Sequence, residues 1–296
     1  MEIFIVPKIE FMSNKYMNQL ISLLLISCIT YSCASKKDVS IPSITSTPIA
    51  KVTDSLSTQV TESVGQKTTE TAIHDHALWD ELTKKHVNNL GFPDYKGFIQ
   101  DSSKFNMYLR QLSSNHPKEN WTSNQRKAFW INAYNAFTVK LIVDNYPVET
   151  IKDLGGGIYR VNTPWDIKFI QIEDKTYHLN DLEHNILRKE WSDPRIHSAV
   201  NCASISCPKL MSGAFLARDL EEQLDRQMKV FIADKTKNSI GENEVKLSKL
   251  FKWFSGDFKV EHSSIIEYIN TYSEVKINPS AAIEYFDYDW GLNDQR

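Results

Sequence analysis

The amino-acid sequence predicts a helix-rich α+β fold, a single domain built on a buried central helix with short antiparallel strands and hairpins around it. Three observations predict it. The segment from Thr122 to Asn145 is apolar on nearly every face, which marks a helix surrounded by protein. Short alternating runs flank turn residues at several places, as hairpin strands do. The helical stretches are not interleaved with strands in the βαβ rhythm of a parallel sheet, which leaves α+β.

In chain order, the first 33 residues read as a targeting segment. Lys15, Asn18 and Gln19 precede an apolar run from Leu20 to Ile29. That run is shorter than the ~20 residues of a membrane-spanning helix and suits the core of a signal peptide. Cys33 follows Ser32 just past it, and the arrangement resembles the lipobox of bacterial lipoproteins, in which the cysteine is diacylated. Cys28 competes for the role, since Leu25-Ile26-Ser27-Cys28 has the better residue at −3, but Cys33 leaves a longer core and a polar exit. An uncleaved anchor and a plain secretory signal are the rival readings. From Ala34 to Ala72, fifteen of thirty-nine residues are Ser or Thr and none is aromatic. Such a segment buries too little apolar surface to offset its conformational entropy, and reads as a flexible tether. The folded domain is expected from Ile73 to Arg296.

Within it, Ala77–Asn89 carries spaced apolar residues and reads as helix, as does Tyr95–Leu112. The central helix opens on Thr122 with Gln125 three residues on, a capping box, and Pro147 ends it. Lys168–Leu179 holds two short alternating runs around Glu173-Asp174-Lys175, a hairpin. Asn180 is expected to cap a helix running through Glu190. Arg195–Val200 is a short apolar run expected as strand. Asp219–Ala233 is amphipathic helix, Glu244–Leu247 strand, Ser248–Phe254 and Ser264–Tyr272 helix, and Ile283–Asp289 a final strand.

The chain of 296 residues carries 34 Lys and Arg against 37 Asp and Glu. That balance leaves no basic footprint, so nucleic acid is not an expected partner. Four cysteines are too few for a disulfide-dense scaffold.

Several motifs fall in a fixed order: Phe129-Trp130-Ile131-Asn132-Ala133-Tyr134-Asn135-Ala136, Ile151-Lys152-Asp153-Leu154, and Leu182-Glu183-His184-Asn185-Ile186-Leu187-Arg188. Asp193-Pro194-Arg195-Ile196-His197 and Asn201-Cys202-Ala203-Ser204-Ile205-Ser206-Cys207-Pro208 follow, then Tyr288-Asp289-Trp290-Gly291-Leu292-Asn293. In this order they resemble domain-of-unknown-function family 547, over roughly Trp121 to Asn293. The resemblance implies a domain found in bacterial exported proteins and in plant and animal proteins, with no settled activity.

Chemistry is therefore read from the residues. Cys202 and Cys207 are the only cysteines beyond the leader, and His178, His184 and His197 lie within thirty residues of them. One arrangement is nucleophilic catalysis, with Cys207 attacking, its thiolate favoured by a helix beginning at Pro208. His197 or His184 would be the base. Glu183, Asp181 or an Asn would orient the imidazole, and Asn132 and Asn135 are candidates for orienting or oxyanion roles. A second is a disulfide that stiffens the loop. A third is a zinc site, disfavoured because Cys-x4-Cys lacks a His-x3–5-His companion. A fourth is two buried, reduced thiols.

Bland readings stand beside these. Asn132 and Asn135 tie a buried helix to a loop, Asp193-Pro194-Arg195 is a turn with an ion pair, and Glu183 is used in a cap. Trp130, Tyr134, Trp253, Phe254 and Trp290 are core. Gly155-Gly156-Gly157 is a flexible loop. No nucleotide cofactor is expected, as no Gly-x-Gly-x-x-Gly or P-loop occurs, and no metal is expected on the cysteine and histidine spacing. The expected site gathers Glu183, His184, His197, Asn201, Cys202 and Cys207, faced by Asn132 and Asn135. The leading expectation is a thiol-dependent hydrolase or acyl transferase at the bacterial cell envelope. Its rival is a non-enzymatic binding module there, with a structural Cys202–Cys207 disulfide. Either would meet the membrane through the lipid anchor at Cys33.

Overall fold

A computed structural model describes residues 75–155 and 163–295. The leader, the lipidation candidates Cys33 and Cys28, the tether and most of the Gly155–Gly157 loop lie outside the described residues. Among the described residues, no helix is long and apolar enough to cross a membrane.

The fold is helix-rich α+β. It begins with α1 (Ala77–His86), α2 (Tyr95–Gln100) and α3 (Ser102–Ser113). The single helix expected over Tyr95–Leu112 is two, divided at Asp101. Helix α4 (Ser123–Asn145) starts at Thr122, whose side chain accepts from the Gln125 N–H while Gln125 caps in return. Burial of Phe129, Ile131, Ala133, Tyr134, Ala136 and Ile142 places it at the centre of the larger core, as its all-round apolar surface requires.

Strands β1 (Ile170–Ile172) and β2 (Lys175–Tyr177) pair antiparallel, forming the expected hairpin. The segment after it departs from expectation. Residues Asp181–Leu187 form a π-helix that runs into α5 (Arg188–Glu190), and Asn180 is itself helical and does not cap. Its side-chain amide donates instead to Asp166. Residues expected as a strand from Arg195 form helix α6 (Ile196–Ala199), following the Pro194 turn.

Helix α7 (Leu220–Ala233) leads to a three-stranded sheet. There β3 (Ser239–Ile240) pairs antiparallel with β4 (Glu244–Leu247), which pairs parallel with β5 (Ala282–Tyr285). The parallel pair needs a crossover, supplied by α8 (Lys249–Trp253) and α9 (Ile265–Tyr272). This one strand–helix–strand crossover was not anticipated from the sequence. The sheet and these helices enclose a second core around Phe231, Phe251, Phe258 and Ile269.

Candidate functional site

A cavity of about 180 Å³ is lined by side chains of both cores. From α4 comes Tyr134, from the π-helix Glu183 and His184, and from α6 His197. Trp165 lines it from a 3-10 turn. The loop after α6 gives Cys202 and Cys207, α8 and its end give Trp253 and Phe254, and the C-terminal segment gives Tyr288 and Trp290. Of the aromatics expected as core, Trp130 and Tyr134 are buried, but Trp253, Phe254 and Trp290 form wall. Trp253 is 47% exposed. Rings of Trp253, Tyr288 and Trp290 pack mutually at centroid separations from 4.5 to 5.9 Å.

The π-helix has a consequence for the site. Its wider register rotates side chains relative to an α-helix, and such insertions are frequent at functional sites. Glu183 accordingly lines the cavity instead of capping, with its side chain 10% exposed. Tyr134 and Trp165 share that stretch of the lining with it. Burial, with Glu183 beside it, holds the Tyr134 phenol well above its usual range. Tyr288 is also pushed up, chiefly by burial.

Cys202 and Cys207 are joined as a disulfide, their Cα atoms 6.1 Å apart. The loop that carries them is held at several points. Asn201 accepts from the Ala203 N–H at 3.0 Å and donates to the Pro208 carbonyl at 2.7 Å. Ala203, fully buried, has φ 61°, a left-handed conformation that costs a non-glycine residue roughly 1–2 kcal/mol. The loop overrides that cost through its bonds. Tyr288 lies 3.2 Å from Cys202 Sγ and accepts from Ser204 at 3.0 Å.

In the bonded form neither sulfur is a thiolate, and Cys207 has no lone thiol to present. No helix begins at Pro208, so the expected helix-dipole assistance to Cys207 is missing. His197 is buried, stacks on Phe254 at 4.0 Å and donates from Nε2 to Asp257 at 2.7 Å. Arg188 grips the same carboxylate with Nε and Nη2, at 2.6 and 2.9 Å, and donates from Nη1 to His184 Nδ1 at 3.1 Å. Asn132 and Asn135 are not in the lining. Asn132 accepts from and donates to the backbone of Phe215, and Asn135 bridges the Ala199 carbonyl and the Asn201 N–H. They position loops. His178 bonds locally to Asp181, outside the cavity. Among the described residues, no group of three or more His, Cys, Asp and Glu is placed to hold a metal ion.

Asp257 was not marked by sequence reasoning. Sixty residues separate it from His197, and nothing local distinguishes it from any other surface-type aspartate. The His197 hydrogen bond above all, with Arg188, holds its carboxyl well below the usual carboxylate range. A carboxyl whose pKa is lower folded than unfolded contributes stability in full above its unfolded pKa of about 3.9. That contribution is lost as pH falls toward the folded value. Asp257→Asn is therefore expected to flatten the fall in melting temperature below about pH 4. An acid limb as steep as that of the unaltered protein would show that Asp257 does not contribute.

With this geometry in view, the comparison with protein families bears on the site. Residues 118–232 match the family described as "Protein of unknown function, DUF547". Neither a curated protein nor a solved structure matches the chain. The DUF547 match includes Tyr134, Trp165, Glu183, His184, His197, Cys202 and Cys207, and so one wall of the cavity. Leu250, Trp253, Phe254, Tyr288 and Trp290, the facing wall, lie beyond its end.

Proposed function

We propose that the domain is a non-enzymatic binding module that seats a small, partly apolar ligand in the aromatic cavity. One observation carries this reading: the wall of that cavity is closed by a Cys202–Cys207 bond. A concave, mostly apolar site with few polar groups is the usual form of a small-molecule site. The bond fixes one side of it in place, which lowers the ordering cost of binding. Disulfides persist outside the cytoplasm, and the leader-like run before Cys33 points the same way. On this reading the module works at the bacterial cell envelope, lipid-anchored through Cys33.

A thiol-dependent hydrolase or acyl transferase, with Cys207 attacking and His197 as base, is the weaker reading. It requires a free thiolate, and the bond removes it. It also requires His197 to face the sulfur, whereas its Nε2 faces Asp257.

Intact-mass analysis of the exported chain after native alkylation separates the two. Neither Cys202 nor Cys207 is expected to label before reduction, and both after it. The loop between them is short, so Cys202→Ser with Cys207→Ser is expected to cost about 2 kcal/mol. For a domain of this size that lowers the melting temperature by about 4–8 °C. Rapid labelling of one sulfur in the native protein would overturn the binding-module reading in favour of thiol chemistry.

A further inference from the structure

Glu183 is the carboxylate of the cavity lining, and among the described residues no Lys or Arg forms a direct ion pair with it. Its side chain is nine-tenths buried, and an ionised carboxylate accepts about four hydrogen bonds. The Tyr134 phenol lies beside it in the lining. His184 Nδ1 is 3.8 Å from it, but that nitrogen accepts from Arg188, so its proton sits on Nε2 and is not offered to Glu183. Arg188 spends its hydrogen bonds on the bidentate grip of Asp257 and on His184, and meets Glu183 only through its charge. No Lys or Arg is among the lining residues. A largely buried carboxylate without a direct ion pair is costly, and a cation entering the cavity would relieve that cost.

The walls favour the same kind of ligand. Aromatic faces attract cations, most strongly when water is excluded. Two of these rings already carry cations supplied by the chain itself: Lys152 Nζ is 3.7 Å from the Trp290 ring centroid, and the Arg188 guanidinium 4.9 Å from that of Phe254. Two other polar side chains of the lining are engaged with protein: Asn180 donates to Asp166, and Tyr288 accepts from Ser204. That leaves few groups to follow the hydroxyls of a sugar, and an anion would meet Glu183 directly.

We infer that the cavity takes a small organic ammonium group, with the Glu183 carboxylate as counter-charge and the rings of Trp165, Trp253, Tyr288 and Trp290 as walls. The inference rests on the cavity being a ligand site. A volume of about 180 Å³ suits a headgroup or an amine terminus rather than a polymer chain.

Calorimetric titration of the full oxidised chain tests it with three probes: choline, n-butylammonium, and the uncharged isostere of choline in which tert-butyl replaces trimethylammonium. At least one ammonium is expected to bind about tenfold more tightly than the isostere. A preference for choline identifies a quaternary headgroup held by ring faces. A preference for butylammonium identifies a primary amine donating to Glu183. Glu183→Gln removes the charge at nearly constant shape and is expected to erase the preference while sparing isostere binding. Trp290→Leu is expected to weaken the ammonium more than the isostere, independently of Glu183. Equal affinity for charged and uncharged probes, unchanged by Glu183→Gln, overturns the inference and leaves the cavity reading intact. Absence of binding by all three overturns both.

Discussion

Alanine at Asn135 is expected to destabilise the domain by about 3 kcal/mol in urea unfolding. The side chain sits on the central helix, fully enclosed, and satisfies two buried backbone groups at once. Its Nδ2 donates to the Ala199 carbonyl at 2.9 Å and its Oδ1 accepts from the Asn201 N–H at 2.8 Å. Each buried group left without a partner costs roughly 1–3 kcal/mol, and the truncation also opens a void. Asn201 adjoins the disulfide, so the variant should also expose Cys202 to reductant at lower concentration. A loss below about 1 kcal/mol would mean that water replaces both bonds, and that Asn135 does not position the loop.

The largest effect is expected at Asp193. Lys127 on α4 reaches it at 2.7 Å, with the two side chains only 6% and 12% exposed. Arg195 closes on the same carboxylate with Nε and Nη2. Burial pushes the Asp193 carboxyl up, but the bonds from Arg195 and Lys127 outweigh it and leave the group below its ordinary range. Removing one partner of a buried pair strands the other charge, at a cost of about 3–5 kcal/mol. Asp193→Ala should therefore approach the limit of what a marginally stable domain survives. The pair itself is worth much less, so Lys127→Met combined with Asp193→Leu is expected to recover most of the loss. A double variant as unstable as Asp193→Ala would instead assign a specific structural role to the charges.

The elements that were legible in the sequence are those whose signal is local. Thr122 with Gln125 fixes the start of α4, and its unbroken apolar surface announces a central position. The Glu173-Asp174 turn between alternating runs announces the β1–β2 hairpin. The disulfide was one of four open arrangements of Cys202 and Cys207, because sequence spacing allows the bond without requiring it. Arg195–Val200 was misread because six apolar-leaning residues have no period long enough to separate strand from helix. The π-register of Asp181–Leu187 is a matter of which carbonyl each N–H selects, and side-chain pattern does not encode it. Glu183, which lines the cavity, sits within that register. Asp257 and the facing aromatic wall come from distant sequence, and composition alone made Trp253 and Trp290 look like core. Asn132 and Asn135 are expected from the sequence to face the site, but both lie outside its lining and are given to backbone hydrogen bonds of different loops.

The most direct measurement is a nuclear magnetic resonance titration of the chain with a small apolar probe, benzyl alcohol, following the tryptophan indole N–H signals. A disulfide-pinned aromatic cavity predicts saturable shifts at Trp165, Trp253 and Trp290, with Trp79 and Trp130 unmoved, and a marked weakening once Cys202 and Cys207 are reduced. Shifts spread over all tryptophans, or none at the three cavity residues in the oxidised protein, would contradict it.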